Sequence, residues 1–252
     1  LARLFNGSDE YLQIDSSPVT AHPLTFCCWW YPTDDTVQSE FFFLGDKDGG
    51  TQWYALGSRL DGADFKARLR VASAGNLHNY VWDTSGNLSE NTWHHVLARC
   101  TSITDQDLFR DGVKTDGNTG KDPLPGNFDR VSIARLGDAT PSNYAAGGAA
   151  EAAIWNAALT DAEAISLAKG YSPLFVRPQN LRAYWPLIRD GDQDRTGDYD
   201  LTAFNTPGIA SHPPQMKYPV PQLFIAPTAA APSYALPMAI HHYRTRRAAQ
   251  CG

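Results

Sequence analysis

The sequence predicts an all-β protein: a two-sheet antiparallel β-sandwich of the jelly-roll type, with one short helix and a Pro-rich C-terminal extension. Three observations lead there. Trp, Tyr and Phe together number 29, and 20 glycines punctuate the chain at short intervals, the composition of many short strands separated by turns. The run Phe65-Lys66-Ala67-Arg68-Leu69-Arg70-Val71 alternates apolar and basic residues without a break, the period of a strand with one wet face. Only one segment, Asp161 to Lys169, has the marks of a helix. Many strands against one helix pack most economically as two facing sheets.

The remaining strands follow from the same pattern, over Tyr11 to Ile14, Leu24 to Tyr31, Phe41 to Leu44, Trp53 to Leu56, Tyr80 to Trp82, Trp93 to Cys100 and Asp107 to Arg110. Asp111-Gly112 tolerates positive φ and so makes a tight hairpin turn. Later strands run through Arg130 to Ile133, Ala149 to Trp155, Leu181 to Trp185 and Leu201 to Phe204. The helix is announced by Thr160-Asp161-Ala162-Glu163, the spacing of a capping box, and Gly170 ends it. All seven tryptophans fall in or beside strands, which favours core or half-buried positions for most of them over an open sugar-binding row.

The composition changes after Asn205. Eight of the 17 prolines lie between Pro207 and Pro237, and proline removes ladder donors. Two segments are therefore expected: a sandwich over 1–205 and an extended arm over 206–252. The arm carries no Asp or Glu and four basic residues, Lys217, Arg244, Arg246 and Arg247. Removing that +4 from the whole-chain −6 leaves the first 200 residues at −10, which opposes nucleic acid as a partner. A chain of the arm's composition takes its shape from what it lies against, a neighbouring subunit or its own sandwich within an assembly. The expectation is docking on other protein subunits of a particle, or on a second copy in a homo-oligomer, through Tyr218, Phe224, Tyr234, His241, His242, Tyr243, Arg244, Arg246 and Arg247.

No run reaches the ~20 apolar residues that cross a bilayer, and the first residues lack a basic region followed by an apolar one. The cysteines, Cys27, Cys28, Cys100 and Cys251, are too few for a disulfide scaffold and lack zinc spacing; packed thiols are expected, and the redox compartment stays open. His94 and His95 are neighbours on a strand, so they face opposite sides and cannot share an ion.

The chemistry of catalysis is thinly represented. A glycosidase needs two carboxyl groups flanking the scissile bond, whereas the five glutamates, Glu10, Glu40, Glu90, Glu151 and Glu163, form no alternating acidic run. No phosphate loop, serine elbow or metalloprotease signature is present. The sequence therefore reads as non-enzymatic and without a cofactor. One stretch resembles a calcium loop: Asp190, Asp192, Asp194 and Asp198 stand at its 1, 3, 5 and 9 positions. Arg195 occupies the position of the required Gly and Leu201 that of the closing Glu, so a solvated acidic hairpin competes with calcium there.

Several stretches together resemble the laminin-G-like, concanavalin-A-like jelly-roll family. Phe5-Asn6-Gly7-Ser8-Asp9-Glu10-Tyr11-Leu12 is similar to its opening strand and Leu24-Thr25-Phe26-Cys27-Cys28-Trp29-Trp30 to the next. Trp93-His94-His95-Val96 with Leu108-Phe109-Arg110-Asp111-Gly112 resembles its W-x-H-V strand and D-G hairpin. Ile133 to Gly137 and Gly148 to Glu163 resemble its closing strand and small helix. Calcium-binding members often carry an acidic pair where this chain has Ala150-Glu151, so one implied ligand is missing. Gly170 to Pro173 and Arg177 to Leu187 resemble a variant of the fold in tailed-bacteriophage structural proteins. The resemblance implies a structural or adhesive protein on a virion surface or outside the cell, a capsid decoration docking on capsid or tail proteins. The alternatives are a glycan-binding adhesion module and a degenerate glycoside hydrolase.

Overall fold

The computed structural model describes residues 1–49, 52–73, 77–188, 192–214 and 216–218. Among these, the strands in chain order are β1 Ala2–Asn6, β2 Tyr11–Ile14, β3 Leu24–Pro32, β4 Ser39–Gly45, β5 Trp53–Asp61, β6 Asp64–Ser73, β7 Leu77–Trp82, β8 His94–Ser102, β9 Asp105–Arg110, β10 Val113–Thr115, β11 Arg130–Ile133 and β12 Ala146–Trp155. The helix α1 Asp161–Ala168 follows, then β13 Leu181–Trp185, β14 Thr202–Phe204 and β15 Gly208–Ala210. No described helix is long and apolar enough to cross a membrane.

The strands form two antiparallel sheets. One runs β10-β9-β8-β3-β12-β1-β15, with β13 on the second half of β12; the other runs β14-β2-β11-β4-β5-β6-β7. Their inner faces meet through alternate side chains: Phe26 lies 5.2 Å from Phe42 across the interface, and Trp30 stacks on Phe41 at 5.1 Å. Leu12, Leu56, Leu69, Val96, Ile133 and Ile154 complete this core. Burying each large apolar side chain stabilises by about 1.5–3 kcal/mol relative to exposure, which fixes the register of every strand that supplies one.

A second, smaller core lies on the outside of the eight-stranded sheet. There α1 lays Ala164 and Leu167 on Cys27, Leu97, Phe109 and Trp155. The expected capping box is formed: Thr160 Oγ1 accepts from Glu163 N, and Glu163 accepts from Thr160 N at 2.7 Å. Arg177 also binds this carboxylate at 2.6 Å, tying the helix start to the turn before β13. The adjacent Cys27 and Cys28 point to opposite faces, Cys27 under the helix and Cys28 between the sheets, and with Cys100 they are buried free thiols whose pKa burial pushes up.

The pattern leaves β1 and β10 unmarked, and two further features depart from it. The alternation of β6 does not produce a wet face, because Arg68 is fully buried. And β15 forms within the Pro-rich stretch, three residues that complete the edge of the sandwich beside β1. Alternation cannot signal so short a strand, and Pro207 and Pro213 on either side argue locally against one.

Candidate functional site

The outward face of the seven-stranded sheet brings aromatic, guanidinium and carboxylate side chains together. Alternation places Ala55 and Gly57 of β5 and Ala72 of β6 on this face as a floor of small residues. A side chain at Gly57 would overlap the Glu40 carboxylate, so only glycine leaves that space. An irregularity in β4 between Glu40 and Phe42 turns Glu40 onto the floor, and its N–H donates to Asn143 O at 2.9 Å.

Arg68 donates to Glu40 Oε1 at 2.5 Å, and Arg70 approaches the same oxygen at 3.4 Å. Both side chains of the Arg68–Glu40 pair are 0% exposed, so the charges attract across little solvent and would be costly to separate. Aromatic rings of the neighbouring strands cover them. The Arg68 guanidinium lies 5.2 Å from the Tyr80 ring centre and 5.7 Å from that of Trp82, and Arg70 lies 4.7 Å from Trp53. Tyr80 and Trp82, two apart on the edge strand β7, sit 5.4 Å from each other and are half-buried. Beneath them Arg68 Nε and Nη1, Arg70 Nε and Glu40 Oε2 have no hydrogen-bond partner among the described residues.

The segment 134–145 forms a flap over the other side of the floor. Ala134 and Asn143 both take positive φ, 71° and 51°, and Leu136 and Ser142 pair across the flap. Leu136 packs on Phe43, Trp53, Ala55 and Ala72. Asp138 is carried here, buried; desolvation raises its carboxyl pKa against the pull of Arg70, Arg130 and Arg135. On the flap itself, Arg135 lies 3.4 Å over the Tyr11 ring, which stacks on Phe204 at 4.5 Å. The face thus offers two aromatic–guanidinium groups, one on β5 to β7 and one that includes Arg135 of the flap. The sequence displays Arg68 and Arg70 in their alternating run, but nothing local reveals that Glu40, 28 positions earlier, sits beneath them.

The expected calcium loop is arranged differently. Asp190 lies outside the described residues. Asp192 is buried against Arg3, which grips both its oxygens, with Arg3 Nε at 2.7 Å from Oδ1. Asp194 is buried as an acceptor for the N–H groups of Tyr184, Thr196, Asp198 and Tyr199 and for the Thr196 hydroxyl, while Asp198 is exposed. Asp192 and Asp194 therefore hold protein donors, and the described aspartates of this loop do not bring three carboxylate oxygens within 4.8 Å of one another. Asp194→Ala would strand several of these N–H groups at a cost of about 2 kcal/mol; urea unfolding measures it, and an equal loss on adding chelator to the unmodified protein would instead mark a bound ion.

Two other acidic groups do converge, Asp34, Asp35 and Glu90, and Asp46, Asp48 and Asp129. Local donors occupy them: Asp35 N binds Glu90 at 2.8 Å, and Lys47 binds Asp129 through both its N–H and Nζ at 2.8 Å. His94 and His95 separate as expected. His94 Nδ1 meets Asp111 Oδ2 at 2.7 Å, bracing the Asp111-Gly112 turn, and His95 is buried beside Trp29. Of the expected docking residues, Tyr218 is engaged by its own chain, where its hydroxyl donates to Glu151 Oε1 at 2.6 Å. Phe224, Tyr234, His241, His242, Tyr243, Arg244, Arg246 and Arg247 lie outside the described residues.

Solved structures with this architecture come from several sources. A carbohydrate binding protein from Bacteroides ovatus, described as putative, superposes with a TM-score of 0.60 at 17% identity, over 86% of this chain and 62% of that one. Domain 4 of AbnA, an extracellular arabinanase from Geobacillus stearothermophilus in complex with arabinotriose, gives 0.54 at 21%, over 66% and 76%. The CBM40 of a Ruminococcus gnavus IT-sialidase gives 0.53 at 14%, over 67% and 97%. At these identities the likeness is one of fold. No curated protein matches the chain in sequence. A family profile described as the concanavalin A-like lectin/glucanases superfamily matches residues 6–164, which takes in β2 to β12 and the start of α1, and this chain belongs to that family.

Proposed function

We propose that the protein is a non-catalytic glycan-binding module, working outside a cell, whose binding surface is the outward face of β4 to β7. The observation that carries this reading is the pair of rings Tyr80 and Trp82, half-buried and 5.4 Å apart on an edge strand, held in place over the buried Arg68–Glu40 pair. A pyranose ring offers an apolar C–H face that packs on an aromatic ring. Structures sharing this fold include an arabinanase domain bound to arabinotriose, which supports a sugar as the ligand class.

A hydrolase on this face would need Glu40 and Asp138 as its carboxyl pair. Glu40 is fully buried and bound by two arginines, so it cannot reach an anomeric carbon or a water beside one. Docking on a capsid or tail protein through residues 206–252 is the competing reading. The described beginning of that arm is spent on the parent sandwich, through β15 and Tyr218, which favours the glycan reading.

The test is a glycan array followed by calorimetry on the strongest hit. Trp82→Ala is expected to weaken binding at least tenfold, about 1.4 kcal/mol, with the circular dichroism spectrum unchanged. A blank array, or a folded Trp82→Ala variant that binds as well as the parent, overturns the proposal.

A further inference from the structure

The segment after β14 is built as a separable piece. The chain leaves one sheet at Phe204 and joins the other at Gly208, and the connection places Asn205 and Thr206 at φ 58° each. Two successive non-glycine residues in the left-handed region are strained, and Thr206 more so because its Cβ is branched. Past this hinge, β15 adds to the edge of the sheet with Ala2↔Ala210, Arg3↔Ile209 and Leu4↔Gly208 in register. Lys217 then inserts its backbone between Gly170 and Ser172, with bonds of 2.7 and 2.9 Å, and its ammonium lies 4.3 Å over the Tyr171 ring.

The final fastening is a buried carboxylate. Glu151 takes φ 55° at the irregularity in β12 and is 1% exposed. Its oxygens meet Tyr184 Oη at 2.7 Å, Tyr218 Oη at 2.6 Å and His212 Nε2 at 3.0 Å. Two of those three partners belong to the segment beyond the hinge. Among the described residues, the groups that receive this segment lie before the hinge, on β1, on β12 and in the turn at 170–172. The socket is therefore complete in any copy of the chain, whichever copy supplies the segment.

We propose that residues 207–218 are an exchangeable arm, and that two copies of this chain form a dimer by swapping it. The exchanged arm makes the same contacts as the closed one, so they do not choose between the two forms. Release of hinge strain favours exchange, and dilution favours closure. The chemistry of the partner is that of the chain's own β1 edge and Glu151 socket, which only a second copy reproduces.

A disulfide between the arm and β1 tests this. A Cβ at Gly208 would stand 3.6 Å from Leu4 Cβ, within the range that a disulfide spans. In a Cys251→Ser background, Leu4→Cys chains are unfolded and refolded together with Gly208→Cys chains at high concentration, then oxidised. A covalent heterodimer is expected, while the Leu4→Cys/Gly208→Cys double variant, oxidised when dilute, cross-links within one chain. Absence of the heterodimer in a mixture whose double variant cross-links fully overturns the exchange. A double variant that never cross-links overturns the arm's placement as well. Thr206→Gly relieves the hinge and should lower the dimer share in sedimentation several-fold; an unchanged share overturns the role given to strain.

Discussion

Glu40→Ala is expected to cost about 3–5 kcal/mol of stability, the range for breaking a buried ion pair from one side. At about 2–4 °C per kcal/mol for a domain of this size, the melting temperature should fall by roughly 6–20 °C. The cause is the charge left behind. Arg68 is 0% exposed and, among the described residues, its carboxylate partner is Glu40, bound at 2.5 Å, so the variant leaves a guanidinium dry beside Tyr80 and Trp82. Removing both charges, in Glu40→Leu/Arg68→Met, should recover most of the loss, because a buried pair contributes little net stability compared with apolar groups of similar size. Urea unfolding of the three proteins provides the comparison. A loss below about 1 kcal/mol in Glu40→Ala would mean that water reaches Arg68 and that the pair is not shut away from solvent. Because the pair underlies the Tyr80 and Trp82 rings, glycan affinity should return in the double variant only so far as those rings keep their places.

Acidification should weaken the fold, starting from near pH 6.5. Burial depresses the pKa of His95 to about 4 from an ordinary 6.5. Between those values the unfolded chain binds a proton that the folded one refuses, so stability rises with pH across the window and is lost as pH falls through it. A shift of this size corresponds to about 3 kcal/mol between pH 6.5 and 4. Burial lowers the pKa of His22 and His78 as well, adding to the same trend. Asp111 acts in the same direction at lower pH, since His94 and the N–H of His95 hold its carboxylate charged against the desolvation that opposes it. Stability in urea at pH 7, 5.5 and 4 should show the decline, and His95→Gln should flatten it. A slope that His95→Gln leaves untouched would remove His95 from the account.

Both predictions concern residues whose importance the chain hides to different degrees. Arg68 and Arg70 are visible in the strict alternation of β6, and the period correctly says which face they occupy. It does not say whether that face is wet, because the aromatic cover comes from β7 and β5 rather than from β6. Glu40 looks like an ordinary strand-end acid until the irregularity in β4 turns it under the arginines. Asp192 and Asp194 show the converse case. Their spacing resembles an ion-binding loop, yet Arg3, 189 positions away, takes the first, and the turn's own N–H groups take the second.

The two-sheet class, nearly every strand, the capped helix and the division of core from surface follow from local matters: alternation of period two, turn residues that tolerate positive φ, and a Thr and a Glu three apart. Such signals are short-range and survive without knowledge of neighbours. Which charges are dry, which aromatics stand clear as a platform, and where the Pro-rich segment first binds depend on groups brought together from distant positions. Burial and hydrogen bonding act between whatever the fold makes adjacent, and adjacency across two sheets is a property of the assembled chain that no window of residues contains.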